Sequence, residues 1–352
     1  MEVILILILF GSLVFCSFRY SSSHKLFLIF FAIGFVSYGL NYSNGDYAAY
    51  HTFYYERSYS DWGVELIYGG LSDLFKYFNL NFFEFKLFIA LITLALHFRF
   101  FSYFTNVKAL LAALYLLFFF SLDYVLMRNF LAVGVVLQGI LALLKNDKSS
   151  VLYFVLCVFV ATLIHQSSIL YMFLAICFYR FKEPALFYAF CFALFAVLYY
   201  FLRLAVFNSA LFAERALLYE GNLNMFFVNV LIYMVNLIFA GLFYFSNRVW
   251  FCYNPIFIRY FWGSNLGLFF VLIVMLDVPI FVRIFKTIFL LNACLITSAC
   301  YSFSFKKRIR VMPVVVLYLF FCFALFVFPV YELTLDPLFS YNCLFEVSLC
   351  RQ

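Results

Sequence analysis

The side chains of this sequence that could do chemistry are a few ionisable residues set beside long apolar segments. They are Asp46, Glu65, Arg128, His165 and Arg283. A histidine titrating near neutral pH can act as a general base, and a carboxylate can accept hydrogen bonds from hydroxyl groups. Each arginine begins an apolar segment, where a helix N-terminus already favours an anion, and guanidinium binds phosphate in a bidentate manner. These residue types suit proton transfer beside a phosphorylated ligand.

His165 stands in an apolar run, residues 151–179, that contains no other His, Lys, Arg, Asp or Glu. The run is too long for one membrane crossing, and basic loops on both flanks predict a hairpin. Residues 151–164 would span only about 21 Å of a hydrocarbon core about 30 Å thick. The turn at residues 164–168 is therefore predicted to lie in a recess. The alternative is a histidine that only hydrogen-bonds between packed helices.

The other candidates also have structural alternatives. Arg128 and Arg283 could extend to lipid headgroups or pair with Asp123 and Asp277. The loop around Asp46 is rich in tyrosine, and aromatic rings pack against sugar faces, but they also form interfacial belts in membrane proteins. Such a belt explains the tyrosines and leaves Asp46 and Glu65 unexplained.

The elements that position these residues are membrane helices. Of the 352 residues, 68% are hydrophobic and 11% are charged, and the mean hydropathy is +1.06. This composition excludes a soluble enzyme, a disordered chain and a disulfide scaffold, and it predicts an all-α, polytopic membrane protein. Motifs for ATP binding, zinc hydrolysis and a serine nucleophile are absent, and no metal or cofactor is predicted. A disulfide between Cys343 and Cys350 stays open.

The apolar segments divide at charge clusters into about twelve predicted crossings, since a crossing helix needs about 20 apolar residues. They lie near residues 3–18, 26–42, 82–98, 108–122, 126–144, 151–165, 167–179, 185–207, 225–246, 260–276, 284–303 and 311–330.

Lysine and arginine concentrate in alternate loops. One side holds 14 of the 23 basic residues and 2 of the 16 acidic ones, so the net charge of +7 indicates membrane topology and not a nucleic-acid partner. By the positive-inside rule, that side is cytoplasmic. Both termini and the polar segments near 43–81, 208–224 and 331–352 then face outward. We predict a single membrane domain over residues 1–352.

Residues 64–81 predict a helix that lies in the plane of the membrane interface. Apolar residues recur with helical period at positions 67, 71, 74, 75 and 78, whereas Glu65, Ser72 and Lys76 share another face. An amphipathic helix of this kind is typical of interfacial segments.

The order of several short motifs resembles the EpsG-like family of Wzy-type polysaccharide polymerases. The motifs are Asn-Gly-Asp-Tyr at 44–47 followed by Tyr50 and Glu65, Met-Arg-Asn-Phe-Leu-Ala at 127–132, and Leu-Ile-His-Gln-Ser-Ser-Ile at 163–169. Arg283 and the segment 337–341 are looser matches. Asn129 stands where the family motif has glutamine, and both side chains are uncharged amides.

This resemblance implies a metal-independent glycosyltransferase of the bacterial inner membrane with a helical architecture of the GT-C type. The enzyme would join undecaprenyl-diphosphate-linked oligosaccharide repeats into O-antigen or exopolysaccharide on the periplasmic face. Membrane lipids are further expected partners, and a chain-length regulator is left open. The implied catalytic residues are His165, Asp46 and Glu65, and the implied substrate-binding residues are Arg128, Arg283, Tyr47, Tyr50, Asn129 and Gln166.

Two other functions use similar features. A lipid-linked oligosaccharide flippase also suits about twelve crossings, but it predicts related halves and polar residues at the membrane midplane. A membrane O-acetyltransferase would also use a recessed histidine, on the cytoplasmic face. The predicted topology places His165 on the opposite face.

Overall fold

The computed structural model describes residues 2–145, 149–178, 223–246, 255–274, 282–303, 305–328 and 331–342. Within these ranges the chain is all-helical, as predicted, and its sole pairing of β type is an isolated bridge between Asn41 and Asn342. The described α-helices are numbered in chain order: α1 Glu2–Arg19, α2 His24–Gly39, α3 Tyr47–Glu56, α4 Leu66–Tyr77, α5 Phe82–Ser102, α6 Lys108–Phe118, α7 Phe120–Val125, α8 Met127–Lys145, α9 Ser150–Ile164, α10 Phe173–Phe178, α11 Leu223–Ser246, α12 Pro255–Val274, α13 Val282–Tyr301, α14 Phe305–Phe326 and α15 Tyr331–Ser340.

Several of these helices are long and apolar enough to cross a membrane. Within the described ranges, four meet both criteria by length and composition: Phe82–Ser102, Met127–Lys145, Phe227–Phe245 and Arg283–Tyr301. Shorter apolar helices occupy most of the other predicted crossings, and the crossing near 185–207 lies outside the described residues. A membrane-embedded helical protein is thus supported, whereas the number of about twelve crossings stays a prediction.

Two predicted crossings are less regular than expected. The segment 108–122 breaks at Phe119, where α6 ends and the short α7 begins, and α7 ends before α8 at Leu126. The segment 167–179 begins as a 3₁₀ helix, Gln166–Met172, before α10 follows. Both irregularities lie beside predicted site residues, where a simple hydropathy count does not resolve them.

The predicted outer segments are more ordered than a loop. Residues 42–63, predicted as a polar segment, contain α3 and a 3₁₀ turn at Tyr59–Trp62. In the segment 331–352, helix α15 is followed by residues outside the description, which include Cys343 and Cys350. The segment 208–224 also lies mostly outside it.

Helix α4 confirms the predicted amphipathic helix and shows which face is buried. Glu65, Tyr68 and Ser72, on the face with the polar residues, are buried against the protein. Leu74 and Phe78 are exposed. Phe75, on the same apolar face, packs against Phe85 and Phe88, so only part of that face is exposed. An exposed apolar surface of this kind is typical of a helix that also contacts lipid.

The chain divides into two compact units, which we describe separately. The first comprises residues 1–169 and 293–352, and the second residues 170–292. In the first unit, α8 packs against α5 and α9. Gly139 permits the α8–α9 contact, because a Cβ there would come within 2.9 Å of Phe154 Cδ2 and 3.0 Å of Cys157 Cβ. This close packing fixes the path of α9 towards His165. A single domain over 1–352 stays a prediction.

In the second unit, three asparagines join three helices. Asn236 of α11, Asn265 of α12 and Asn292 of α13 are buried and hydrogen-bond to one another at 2.7–3.3 Å. Asn265 Nδ2 also donates to the Phe261 carbonyl at 2.6 Å. In an apolar environment such amide bonds fix the register of helices, since a shifted helix would leave amide groups unpaired.

Candidate functional site

Glu65 lies at the centre of a polar cluster in the first unit. One carboxylate oxygen, Oε2, accepts a hydrogen bond from Arg128 Nη1. The other, Oε1, lies 2.8 Å from His165 Nδ1 and accepts the Gln166 backbone N–H at 3.2 Å. The Glu65 side chain is only 8% exposed, against 21% for Arg128 and 16% for His165. The structure thus brings three of the predicted ionisable residues into direct contact.

Three helix ends converge to build this cluster. Glu65 immediately precedes α4, Arg128 is the second residue of α8, and His165 immediately follows α9. His165 is extended (φ −149°, ψ 114°), which ends the helix and turns the chain, and its N–H still donates to the Ala161 carbonyl at 2.8 Å. The helix ends hold the side chains because backbone hydrogen bonds fix the residues that carry them.

The charges around Glu65 keep its carboxylate ionised. Burial raises the pKa of Glu65, but the His165 hydrogen bond, the charges of Arg128 and His165 and the Gln166 N–H together lower it below the ordinary value of 4.5. An ionised carboxylate accepts hydrogen bonds and cannot donate, so His165 Nδ1 carries the proton in this contact. When the imidazole carries only this proton, Nε2 is its free acceptor nitrogen. Among the described residues, Nε2 has no hydrogen-bond partner.

Aromatic rings surround Arg128. Its guanidinium carbon lies 5.5 Å from the centroid of the Tyr50 ring, 5.4 Å from that of Trp62 and 6.0 Å from that of Tyr68. Each distance is within the range of a cation–π interaction. Burial raises the pKa of Tyr50 and the nearby Asp46 charge adds to this rise, while the Arg128 charge opposes it. The rings therefore stabilise the cation and cover part of its surface.

Three other predicted site residues differ in which groups they contact. Asp46 precedes α3, and its backbone N–H donates to Asn44 Oδ1 at 3.1 Å. Tyr47 packs against Phe82, with ring centroids 5.3 Å apart, and not against Arg128. Gln166 joins the cluster through its backbone N–H, whereas its side chain is exposed.

Two further predicted residues lie outside the contacts of Glu65. Asn129 is buried beside Arg128, and its Nδ2 has no partner among the described residues. Arg283 is the second residue of α13 and belongs to the second unit, so its predicted role rests on the motif alone. The structure also gives Arg128 a partner, Glu65, that differs from the Asp123 considered above.

Sequence reasoning missed Lys86, which anchors the loop in front of α3. Lys86 is 2% exposed, and its ammonium donates to the carbonyls of Tyr38 (2.7 Å), Gly39 (3.3 Å) and Asn41. Three carbonyls at the end of α2 thus share one cation. The signal was a lysine inside a predicted crossing, but the apolar residues around it dominate the hydropathy.

The same loop is fastened to the segment around α15. Asn41 Nδ2 donates to the carbonyls of Pro337 (2.9 Å) and Tyr341 (3.0 Å), and Tyr42 N–H donates to Tyr341 at 3.0 Å. Asn342 Nδ2 donates a hydrogen bond to the Val36 carbonyl of α2 at 3.3 Å. Sequence-distant residues therefore order the loop that carries Asp46.

The cluster offers a base, a carboxylate and a cation, and no described group of three or more His, Cys, Asp or Glu side chains could hold a metal ion. Neither the comparison with curated proteins nor that with solved structures gives a match. The model of the EpsG family matches residues 24–343, which include every residue of the cluster. Since this match spans nearly the whole chain, the protein belongs to the EpsG family.

Proposed function

We propose that this protein is a membrane glycosyltransferase that polymerises lipid-linked oligosaccharide repeats. Membership of the EpsG family suggests a polysaccharide polymerase-like function. The observation that carries the proposal is the 2.8 Å contact between His165 Nδ1 and the buried carboxylate of Glu65, which leaves Nε2 as the basic nitrogen. A carboxylate that orients a histidine in this way is a recurring arrangement for a general base.

In the proposed reaction, His165 Nε2 takes the proton of an acceptor sugar hydroxyl. The hydroxyl oxygen then forms a bond to the anomeric carbon of the donor, and the bond from that carbon to the lipid diphosphate breaks. The electron pair leaves with the diphosphate, and the proton stays on the imidazolium until solvent removes it. Glu65 stabilises the imidazolium by its negative charge.

The geometry changes the role proposed for Arg128. Because it contacts Glu65, we propose that Arg128 holds the carboxylate ionised and in place. Two buried donors, Arg128 Nε and Asn129 Nδ2, have no acceptor among the described residues. We propose that a diphosphate or sugar oxygen accepts from them, since buried donors are rarely left unpaired.

The remaining proposed roles follow the resemblance. Arg283 binds the leaving diphosphate, Asp46 accepts sugar hydroxyl groups, and Tyr47, Tyr50 and Gln166 line the sugar path. We propose that the reaction needs no metal and takes place on the periplasmic face of the inner membrane, in a GT-C-like fold of about twelve crossings. The proposed substrates are undecaprenyl-diphosphate-linked oligosaccharides.

The test is a set of His165 variants in a deletion strain, with the chain length of lipid-linked glycan as the readout. We expect the deletion to leave single repeats, and His165→Ala and His165→Gln to do the same at normal abundance. A rate loss of about 10²–10⁴-fold is typical for a lost general base. Ser168→Ala is the matched control, because Ser168 is a buried residue of the same turn.

The outcomes separate the alternatives. Long polymer from the glutamine variant would refute His165 as the base, because glutamine keeps hydrogen bonding and cannot take up a proton. Loss of all surface glycan in the deletion strain, with repeats trapped on the cytoplasmic side, would indicate a flippase instead. The asparagine cluster of the second unit does not support that function, since its amides bond to one another.

A further inference from the structure

A polar cavity lies at the ends of α8 and α9 that are opposite to the Glu65 cluster. It has a volume of about 300 Å³, and its walls come from α5, α8 and α9. Arg128 and Lys145 are separated by 17 residues of α8, which corresponds to about 26 Å, close to the thickness of a hydrocarbon core. With α8 as a predicted crossing, the cavity and the Glu65 cluster are expected near opposite faces of the membrane.

The rim of the cavity is positively charged. Arg99 and Lys145 both line it, and neither forms an ion pair with any residue that the structure describes. The N-terminus of α9 also opens here, and the side chain of its N-cap residue, Ser149, makes no capping hydrogen bond. Unpaired N–H groups of a first helical turn favour an anion, and Ser150 adds a hydroxyl group.

A buried polar side chain forms part of the inner wall. Gln138 is 6% exposed, and its Nε2 donates to the carbonyls of Leu96 (2.7 Å) and Gly134 (3.3 Å). Its Oε1 has no donor among the described residues. Water that accompanies a bound phosphate can donate to this oxygen, as ordered water commonly does at polar sites.

An apolar stripe runs along α9 away from the cavity. Tyr153 lines the cavity and is exposed, and Leu152, Leu156 and Phe159 continue the exposed face towards the middle of the helix. Their spacing places them on one side of the helix. A ligand with a phosphate at one end and an acyl chain at the other matches this surface in both charge and polarity.

We infer that this cavity binds the headgroup of an anionic phospholipid, with an acyl chain along the α9 stripe. Arg99 and Lys145 pair with the phosphate, and the α9 N-terminus contributes backbone donors. The inference is independent of the proposed function, because it requires no particular substrate at the Glu65 cluster.

The test uses the full-length protein in neutral detergent, with phosphatidylglycerol, phosphatidylcholine of the same acyl chains, and inorganic phosphate as separate probes. Retention of lipid in native mass spectrometry and the midpoint of thermal unfolding are the readouts. We expect phosphatidylglycerol alone to be retained and to raise the midpoint. In Arg99→Gln/Lys145→Gln, its apparent affinity should fall at least ten-fold.

The matched control is Arg19→Gln/Lys25→Gln, which removes two exposed cations from another basic loop and should keep wild-type affinity. Equal binding of both lipids, or equal loss in both double variants, would overturn the inference. A midpoint raised as much by inorganic phosphate would assign the cavity to a soluble phosphorylated ligand and also overturn it. If the first double variant unfolds, Arg99→Gln and Lys145→Gln are measured singly, and two unchanged affinities refute the site.

Discussion

Replacing Glu65 by glutamine removes the negative charge that faces both Arg128 and His165 while keeping the shape of the side chain. Glutamine offers one oxygen and one amide group in place of two acceptor oxygens. In one orientation the glutamine oxygen accepts from His165 and the Gln166 N–H, and its NH₂ group then faces the Arg128 donor. In the flipped orientation the NH₂ group faces His165 and the Gln166 N–H instead. Either orientation therefore leaves a donor facing a donor.

The size of the effect follows from burial. Removing one partner of a buried ion pair costs about 3–5 kcal/mol, because the other charge is left without compensation. The Arg128 side chain is 21% exposed, so we expect the lower end, about 3 kcal/mol, in the free energy of unfolding. Replacing both residues, as in Glu65→Gln/Arg128→Gln, removes the uncompensated charge. The double variant should lose at least about 1 kcal/mol less than the sum of the single variants.

The measurement is a double-mutant cycle by equilibrium unfolding in mixed micelles, with glycan chain length recorded for the same variants. The control cycle uses Asp73 and Lys76, an ion pair on α4 at 2.5 Å whose side chains are 36% and 27% exposed. Exposed pairs contribute about 0–1 kcal/mol, so this cycle should show weak coupling. Additive losses at Glu65 and Arg128, within about 0.5 kcal/mol, would refute the ion-pair argument.

Four further expectations concern the pH dependence of Glu65 and three other positions. The pKa of Glu65 in the folded protein lies below 4.5, so the ionised carboxylate stabilises the fold fully above pH 4.5, and this stabilisation is lost as the pH falls below that value. Below pH 4.5 the thermal midpoint should therefore fall in the wild type and fall less in Glu65→Gln. Gly139→Ala should cost about 1–3 kcal/mol by pushing α9 outward, whereas Gly241→Ala, with nothing within 4 Å of the added Cβ, should not. Asn265→Leu should lower the thermal midpoint, at about 1–2 kcal/mol, because it removes three hydrogen bonds to Asn236 and Asn292 and leaves the 3.3 Å bond between those two. Lys86→Met should expose the loop around Asn41 to protease, and an unchanged digestion rate would contradict its anchoring role.

The sequence indicated which ionisable residues were candidates for the site, but it did not indicate which of them contact one another. We selected His165, Glu65 and Arg128 because placing an ionisable residue close to an apolar membrane segment costs free energy. In the structure, Glu65 contacts both of the other two. Their pairing could not be predicted, since Glu65 is separated by 63 residues from Arg128 and by 100 from His165. No local pattern carries information about contacts over such distances.

The helices were predictable where hydropathy alone decides them. The crossings at 82–98 and 126–144 correspond to α5 and α8, because continuous apolar runs have few alternatives to a helix in a membrane. Helix α3 was missed because its tyrosines suggested an interfacial loop, and its order depends on tertiary contacts. Tyr54, for example, donates to the Leu80 carbonyl at 2.7 Å.

The hydrogen bonds from Asn41 to Pro337 and Tyr341 join positions 296 and 300 residues apart. A ribosome that adds about 5–20 residues per second needs roughly 15–60 s to make the chain between them. During that interval Glu65, Arg128 and His165 are all synthesised, while the loop before α3 still lacks its distant partners. The order of synthesis thus delays completion of this part of the protein until α15 has been made. A nascent chain stalled before α15 carries the cluster beside a loop that lacks these hydrogen bonds.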